Sequence, residues 1–290
     1  MHFTQTLPAI VGLAAAAPAT LSISKRAACD VQAPGITGYD ITPDTPEAWL
    51  QSPYWENFSN GAADPAGYTK VYSNLHASSN APDYRGHVEM TSYDLPSCAA
   101  QCNSKFDCQA ISILVERVPT LFPGPGCENP PSASYIKCVF WSGPVTLDNT
   151  VNTGSTDVQF QRVIAGSNAY VKTGIVDPAG FTNRQYFGQN SLSVPEHHIA
   201  SQVYGDKLFD AGRCAQFCTQ RTEMAARDPS ERACKFFNTY LEYVNDGDHV
   251  TGQICAIYDQ AFDGSVATNG GQVRDGNNYL KASSYGWTAV

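Results

Sequence analysis

Beyond its first 26 residues this sequence has no apolar run long enough to span a bilayer. It is also short of charge, with only 16% of residues being Asp, Glu, Lys or Arg. Basic residues are the scarcer kind: 18 Lys and Arg stand against 27 Asp and Glu, a net charge of -9, which speaks against nucleic acid as a partner. Reaction signatures are missing as well. There is no Gly-x-Ser-x-Gly elbow, no His-Glu-x2-His zinc helix and no Gly-rich phosphate loop. These absences point away from a membrane-spanning protein, a nucleic-acid binder and an enzyme.

What is present begins with an alanine-rich apolar run from Leu7 to Ala19, the length of a signal-peptide core. Ala17-Pro18-Ala19 offers the small-x-small cleavage pattern, and the dibasic pair Lys25-Arg26 follows. Residues 1–19 therefore read as a signal peptide and residues 20–26 as a pro-segment, with mature protein starting at Ala27. Removing them leaves 16 basic against 27 acidic residues, a net charge of -11. All ten cysteines, Cys29 to Cys255, lie beyond that point. An even count in an exported chain predicts five disulfides, rather than thiols or zinc. Asn57-Phe58-Ser59 is the single N-glycosylation sequon, expected on a surface loop.

An internal duplication is the most informative feature. Asp64-Pro65-Ala66-Gly67-Tyr68-Thr69 recurs as Asp177-Pro178-Ala179-Gly180-Phe181-Thr182. Asp94, Cys98, Ala99 and Cys102 recur as Asp210, Cys214, Ala215 and Cys218, each offset by 116 positions. The match resumes at Cys108–Glu116 against Cys234–Glu242 and at Cys138–Trp141 against Cys255–Tyr258. Tyr170-Val171-Lys172 and Tyr279-Leu280-Lys281 are expected to close the two copies. The boundaries that follow are an N-terminal extension over 27–63, a first domain over 64–172 and a second over 177–290. Four cysteines inside residues 177–290 predict that this half folds alone when oxidised.

Asp94 and Asp210 each stand four residues before a cysteine and predict helix N-caps. Cysteines at i and i+4 share one helix face, so each helix is expected to be stapled to a surface beneath it. The runs Cys108–Val115 and Cys234–Leu241 favour strands, a second strand is expected to begin at Cys138 or Cys255, and terminal strands are expected to pair. An antiparallel sheet crossed by one helix follows for each copy, an α+β fold. Sequence alone does not fix disulfide pairing. With the copies treated alike, the first helix cysteine most naturally reaches the later strand (Cys98 to Cys138, Cys214 to Cys255) and the second the earlier one (Cys102 to Cys108, Cys218 to Cys234). Cys29 and Cys127 remain for each other.

Asp-x3-Cys-Ala-x2-Cys, a Cys-led strand and then Cys-Val-Phe-Trp or Cys-Ala-Ile-Tyr resemble the PAN/apple family of extracellular modules. Cys127–Ser132 and Ile164–Tyr170 look like secreted fungal proteins of this type. The resemblance covers about three quarters of the chain. It implies two tandem domains, each an antiparallel sheet packed on one helix and stitched to it by two bridges. It implies binding of an extracellular polysaccharide or surface protein. No cofactor is expected, and the expected place is extracellular or in the cell wall. The chain departs from the pattern in the longer Cys218–Cys234 spacing and in Cys127, which has no counterpart in the second copy.

Other candidates carry blander readings. Glu116 and Glu242 occupy the same position in separate copies, which is not how an acid and base flank one bond. They are expected to make local ion pairs. His197-His198 point oppositely in extended chain and are expected to face solvent. Neither Thr20 nor Ala27 supplies the N-terminal histidine of a copper monooxygenase. Asn245-Asp246-Gly247-Asp248 has the flavour of a calcium loop, but Ala256 stands where a bidentate glutamate belongs, so a polar turn is expected. Among aromatics able to stack on sugars (Tyr54, Trp55, Trp141, Tyr258, Trp287), Trp141 and Tyr258 are expected in the core. The alternatives to a binding module are a structural wall or surface glycoprotein and an enzyme of unrecognised type.

Overall fold

The chain is described by a computed structural model covering residues 27–245 and 249–290. The expected signal peptide and pro-segment fall outside the described residues, as does most of the Asn245–Asp248 turn.

Two short helices form where Thr45 and Ser52 cap segments that start with proline: α1 (Pro46–Leu50) and α2 (Pro53–Gly61). Then follow β1 (Tyr68–Leu75), β2 (Tyr84–Met90), α3 (Leu95–Asn103), β3 (Ala110–Pro119), β4 (Ser132–Trp141), β5 (Gly154–Asp157) and β6 (Phe160–Lys172). The second copy runs β7 (Phe181–Gly188), β8 (His198–Tyr204), α4 (Ala211–Arg227), β9 (Phe236–Val244), β10 (His249–Tyr258), β11 (Gly271–Arg274) and β12 (Asn277–Ala289). The fold is α+β, with two antiparallel six-stranded sheets and five disulfides. The sheets share one topology. The first runs β1-β6-β3-β4-β2 with β5 hairpinned onto β6, and the second runs β7-β12-β9-β10-β8 with β11 hairpinned onto β12.

Each sheet carries a helix capped by the expected aspartate. Asp94 accepts from the Ser97 amide at 3.0 Å and Asp210 from the Gly212 amide at 2.8 Å. Leu95, Cys98, Ala99 and Cys102 are buried on α3, and Ala211, Cys214, Ala215 and Cys218 on α4, the i, i+3, i+4, i+7 stripe that lays a helix on a sheet. The bridges hold that stripe down: Cys98 joins Cys138, Cys102 joins Cys108, Cys214 joins Cys255 and Cys218 joins Cys234. Cys29 joins Cys127 and ties the extension to the first copy.

Three expectations are corrected. The strands β4 and β10 begin six residues before Cys138 and Cys255, because their hairpin partners β3 and β9 extend the ladder to Ser132 and His249. Asn57 lies on helix α2 rather than on a loop, because Ser52 and Pro53 start a helix through it. Tyr279-Leu280-Lys281 does not close the second copy. Tyr68 pairs with Lys172, and its counterpart Phe181 pairs with Ala289, so Tyr170 is matched by Trp287. The chemistry agrees with that register: the Tyr170 hydroxyl donates to Asp64 at 2.7 Å and Trp287 Nε1 to Asp177 at 2.9 Å, tying each last strand to the opening Asp-Pro-Ala-Gly turn.

The extension is part of the fold. Trp49 and Trp55 are 1% exposed, with rings 4.9 Å apart, and pack with α3 on one face of the first sheet. Arg117, 2% exposed, anchors the extension by an ion pair with Asp44 at 2.7 Å. At Gly166 (φ +54) a Cβ would stand 2.6 Å from the Trp55 carbonyl oxygen, so only glycine lets α2 approach β6 this closely. The opposite face of the first sheet, with Tyr72, Ala110, Trp141, Ala169 and Val171, shares one core with Phe181, Phe237, Tyr285, Trp287 and the α4 cysteines.

Candidate functional site

The residues expected to stack on sugars are mostly committed to the interior. Trp55 is 1% exposed, Trp287 is fully buried, and Trp141 and Tyr258 occupy equivalent core positions; only Tyr54, at 40%, offers its ring to solvent. Glu116 pairs with Lys137, and Glu242 pairs with Arg274 at 2.9 Å while accepting from Thr251. His197 Nδ1 lies 2.9 Å from Asp259, which also pairs with Arg232, and His198 bonds Ser201. Among the described residues no group of three or more His, Cys, Asp or Glu side chains could hold a metal ion. Ala256, at the end of the acidic turn's register, is a buried strand residue. Asn57 is exposed, while Ser59 of its sequon is buried and hydrogen-bonded to Asn168.

A site emerges where the copies meet. The 3-10 turn Thr173–Ile175 joins them, with Ile175 fully buried, and a Cβ on Gly174 would stand 2.1 Å from the Phe209 carbonyl oxygen. That close approach leaves a cleft of about 710 Å³ beside the junction. One wall is the Ala66–Tyr68 turn with Asn103, Lys105 and Phe106 below α3; the other is Lys207–Asp210 with Arg213. Lys172 and Gln109 complete it. A second groove of about 660 Å³ follows residues 31–42 of the extension; of its two carboxylates, Asp40 and Asp44, the latter is spent on Arg117 and Ser132, and no Lys or Arg lines it.

The chemistry of the inter-copy cleft is specific. Its lining holds four cations and one carboxylate in a chain whose net charge is -9. Arg213 is held by Asp206 at 2.7 Å and by Asp210 at 3.7 Å. Lys105 Nζ lies 5.3 Å from the Phe140 ring centroid. Burial pulls the Lys172 ammonium down to about 8, with the Asp107 carboxylate opposing the drop. Lys207 is exposed with φ 64, a left-handed conformation that costs a lysine about 1 kcal/mol. Phe106 and Phe209 are half-buried, with ring centroids 5.1 Å from Tyr243 and 5.6 Å from Tyr285 respectively. Gln109, 1% exposed, donates to Ser283 at 3.4 Å, and its amide oxygen has no partner.

Such a cleft can hold an anionic or hydroxyl-rich ligand by ammonium and amide contacts. Reading the repeat alone missed it. The signal lay where the copies differ: three residues, Thr91–Tyr93, connect β2 to the α3 cap, whereas five, Gly205–Phe209, connect β8 to the α4 cap, and that longer loop carries Lys207.

No family model, no curated protein and no solved structure matches the chain. Among the described residues no helix is long and apolar enough to cross a membrane. Five disulfides are consistent with an extracellular protein.

Proposed function

We propose that this chain is a secreted, non-catalytic binding protein built from two tandem PAN/apple-like domains, recognising carbohydrate or a surface protein outside the cell or in the cell wall. The observation that supports this reading is the inter-copy cleft, assembled from both copies and lined by cations, rings and side-chain amides. Residues with catalytic potential elsewhere are tied up: Glu116 and Glu242 in ion pairs, His197 on Asp259. The structural glycoprotein and enzyme alternatives predict different behaviour in one assay. Cosedimentation of the mature protein with insoluble glucan, chitin and mannan, beside a pull-down of surface proteins and a hydrolysis screen, gives retention or capture without bond cleavage if the reading holds. Cleavage abolished by Glu116→Gln or Glu242→Gln would replace it with an enzyme. No retention and no capture would leave the structural role.

A further inference from the structure

Ten of the sixteen Lys and Arg residues among those described sit in ion pairs: Lys70, Arg85, Arg117, Lys137, Arg162, Arg184, Arg213, Arg221, Arg232 and Arg274. Of the six that do not, Lys105, Lys172 and Lys207 line the cleft between the copies. Three ammonium groups that make no ion pair, with Asp107 acting on Lys172 from farther off, are gathered in a concave site of an acidic protein and focus a local positive potential on whatever enters. Lys207 is held in a left-handed conformation that lysine disfavours, the kind of local strain that persists where the surrounding structure requires it.

We infer that the inter-copy cleft binds a largely neutral polysaccharide through isolated carboxylated sugars, each acid group entering among Lys105, Lys172 and Lys207. This rests on the binding reading above and narrows it to a ligand class. A dense polyanion fits poorly, because the net charge of -9 repels a long run of negative charge while the cleft accommodates one or two acid groups. An extended acidic peptide also fits poorly. Extended peptides gain affinity by adding to a strand edge. Here β1 is an edge strand, but only its first residue, Tyr68, and the last residue of β6, Lys172, reach the cleft, and the remaining walls are turns and helix ends, too little strand edge for an extended peptide to add to. Sugar recognition suits what the walls do present: half-buried phenylalanine rings for ring C–H faces, and the Asn103 amide for hydroxyl groups.

The test is calorimetry on the full secreted chain with three probes. They are a xylo-oligosaccharide carrying one glucuronic acid side group, the same oligosaccharide with that carboxyl reduced to an alcohol, and hexaglutamate. The acid form is expected to bind at least about tenfold more tightly than the reduced form, the scale of one charge-assisted hydrogen bond. Lys172→Gln and the exposed-site change Lys207→Gln are each expected to weaken the acid form by about tenfold and leave the reduced form unchanged. Lys235→Gln, exposed and away from the cleft, leaves both unchanged. Equal affinity for acid and reduced forms overturns the carboxylate inference while leaving a sugar-binding protein. Tighter binding of hexaglutamate overturns it in favour of a protein ligand. If neither oligosaccharide binds but glucan, chitin or mannan still retains both lysine variants, the cleft inference falls and the binding reading stands. If nothing binds anywhere, both fall.

Discussion

The two copies share a sheet topology and a helix staple but not the way their last strands are covered. In the first copy, β6 is covered by the extension: Trp55 backbone lies against Gly166, and Asn168 donates to the Ser59 carbonyl at 2.9 Å. In the second copy the position matching Gly166 is Ser283, also in a left-handed conformation at φ 50. Its hydroxyl donates to the Asp107 carbonyl at 3.2 Å, and the Tyr285 hydroxyl, at the position of Asn168, donates to the Ser142 carbonyl at 2.9 Å. The first copy thus does for the second what the extension does for the first. A domain boundary drawn on the repeat alone cuts through a shared core.

The largest expected effect comes from breaking that cover. Residues 177–290, expressed alone and oxidised, would lose the cover over Tyr285 and Tyr186, whose hydroxyls donate to Ser142 and Asp83 of the first copy, so the sequence-based expectation of an independently folding half is revised. The fragment is expected to form its two bridges yet unfold at much lower denaturant than the full chain, followed by tyrosine fluorescence. An unchanged midpoint would show that the cover is dispensable.

Bridge deletions sharpen the comparison in energy. Cys98–Cys138 and Cys214–Cys255 close loops of 40 and 41 residues, so the chain-entropy model gives roughly 4 kcal/mol for each. Replacing either pair by alanines is expected to cost the same within about 1 kcal/mol. The other staples differ. Cys102–Cys108 spans 6 residues and Cys218–Cys234 spans 16, which gives roughly 2 against roughly 3 kcal/mol by denaturant titration.

A buried charge distinguishes the copies further. Where Ile164 opposes Glu116 in the first copy, Lys281 opposes Glu242 in the second. Lys281 is 4% exposed, donates to Ser191 at 2.6 Å and to the Asn269 carbonyl at 2.8 Å, and burial lowers its ammonium to about 8, against the opposing pull of Glu242. Between pH 8 and its unfolded value the unfolded chain holds this proton and the folded chain does not, so stability rises with pH in that window. Lys172, lowered to about 8 in the same way, adds to the rise. Above pH 10 buried tyrosines such as Tyr285, raised by burial, reverse the trend. Thermal unfolding from pH 7 to 10 should show the gain, and Lys281→Met should remove on the order of 2 kcal/mol of it.

The smallest effect concerns Lys207. Glycine there relieves about 1 kcal/mol of left-handed strain but adds a similar entropy to the unfolded chain, so Lys207→Gly should leave stability nearly unchanged. Its loss of binding to the acidic oligosaccharide should nonetheless match that of Lys207→Gln, separating function from folding.

The elements that repeat were the legible part. The capping aspartates, the i, i+4 cysteines and the Cys-led strands are set by local chemistry, and helices and strands stand there. The ending of the second copy was misplaced by eight residues, because Tyr279-Leu280-Lys281 imitates Tyr170-Val171-Lys172 in side chains while Trp287 makes the bond to the aspartate turn. A tyrosine hydroxyl and an indole N–H are alike as donors but unlike as letters. The edge strands β2 and β8 gave little hydrophobic alternation to read, being partly or fully exposed along their length. The cleft was illegible for another reason: its residues come from separate elements of both copies, and only the packing of one copy on the other brings them together.

The direction of the stacking also matters in time. One face of each sheet is covered by chain that precedes it, the extension before the first copy and the first copy before the second. During synthesis a polypeptide emerges N-terminus first. The second sheet therefore meets a surface already made, while within each copy the first strand waits for the last, β1 for β6 and β7 for β12.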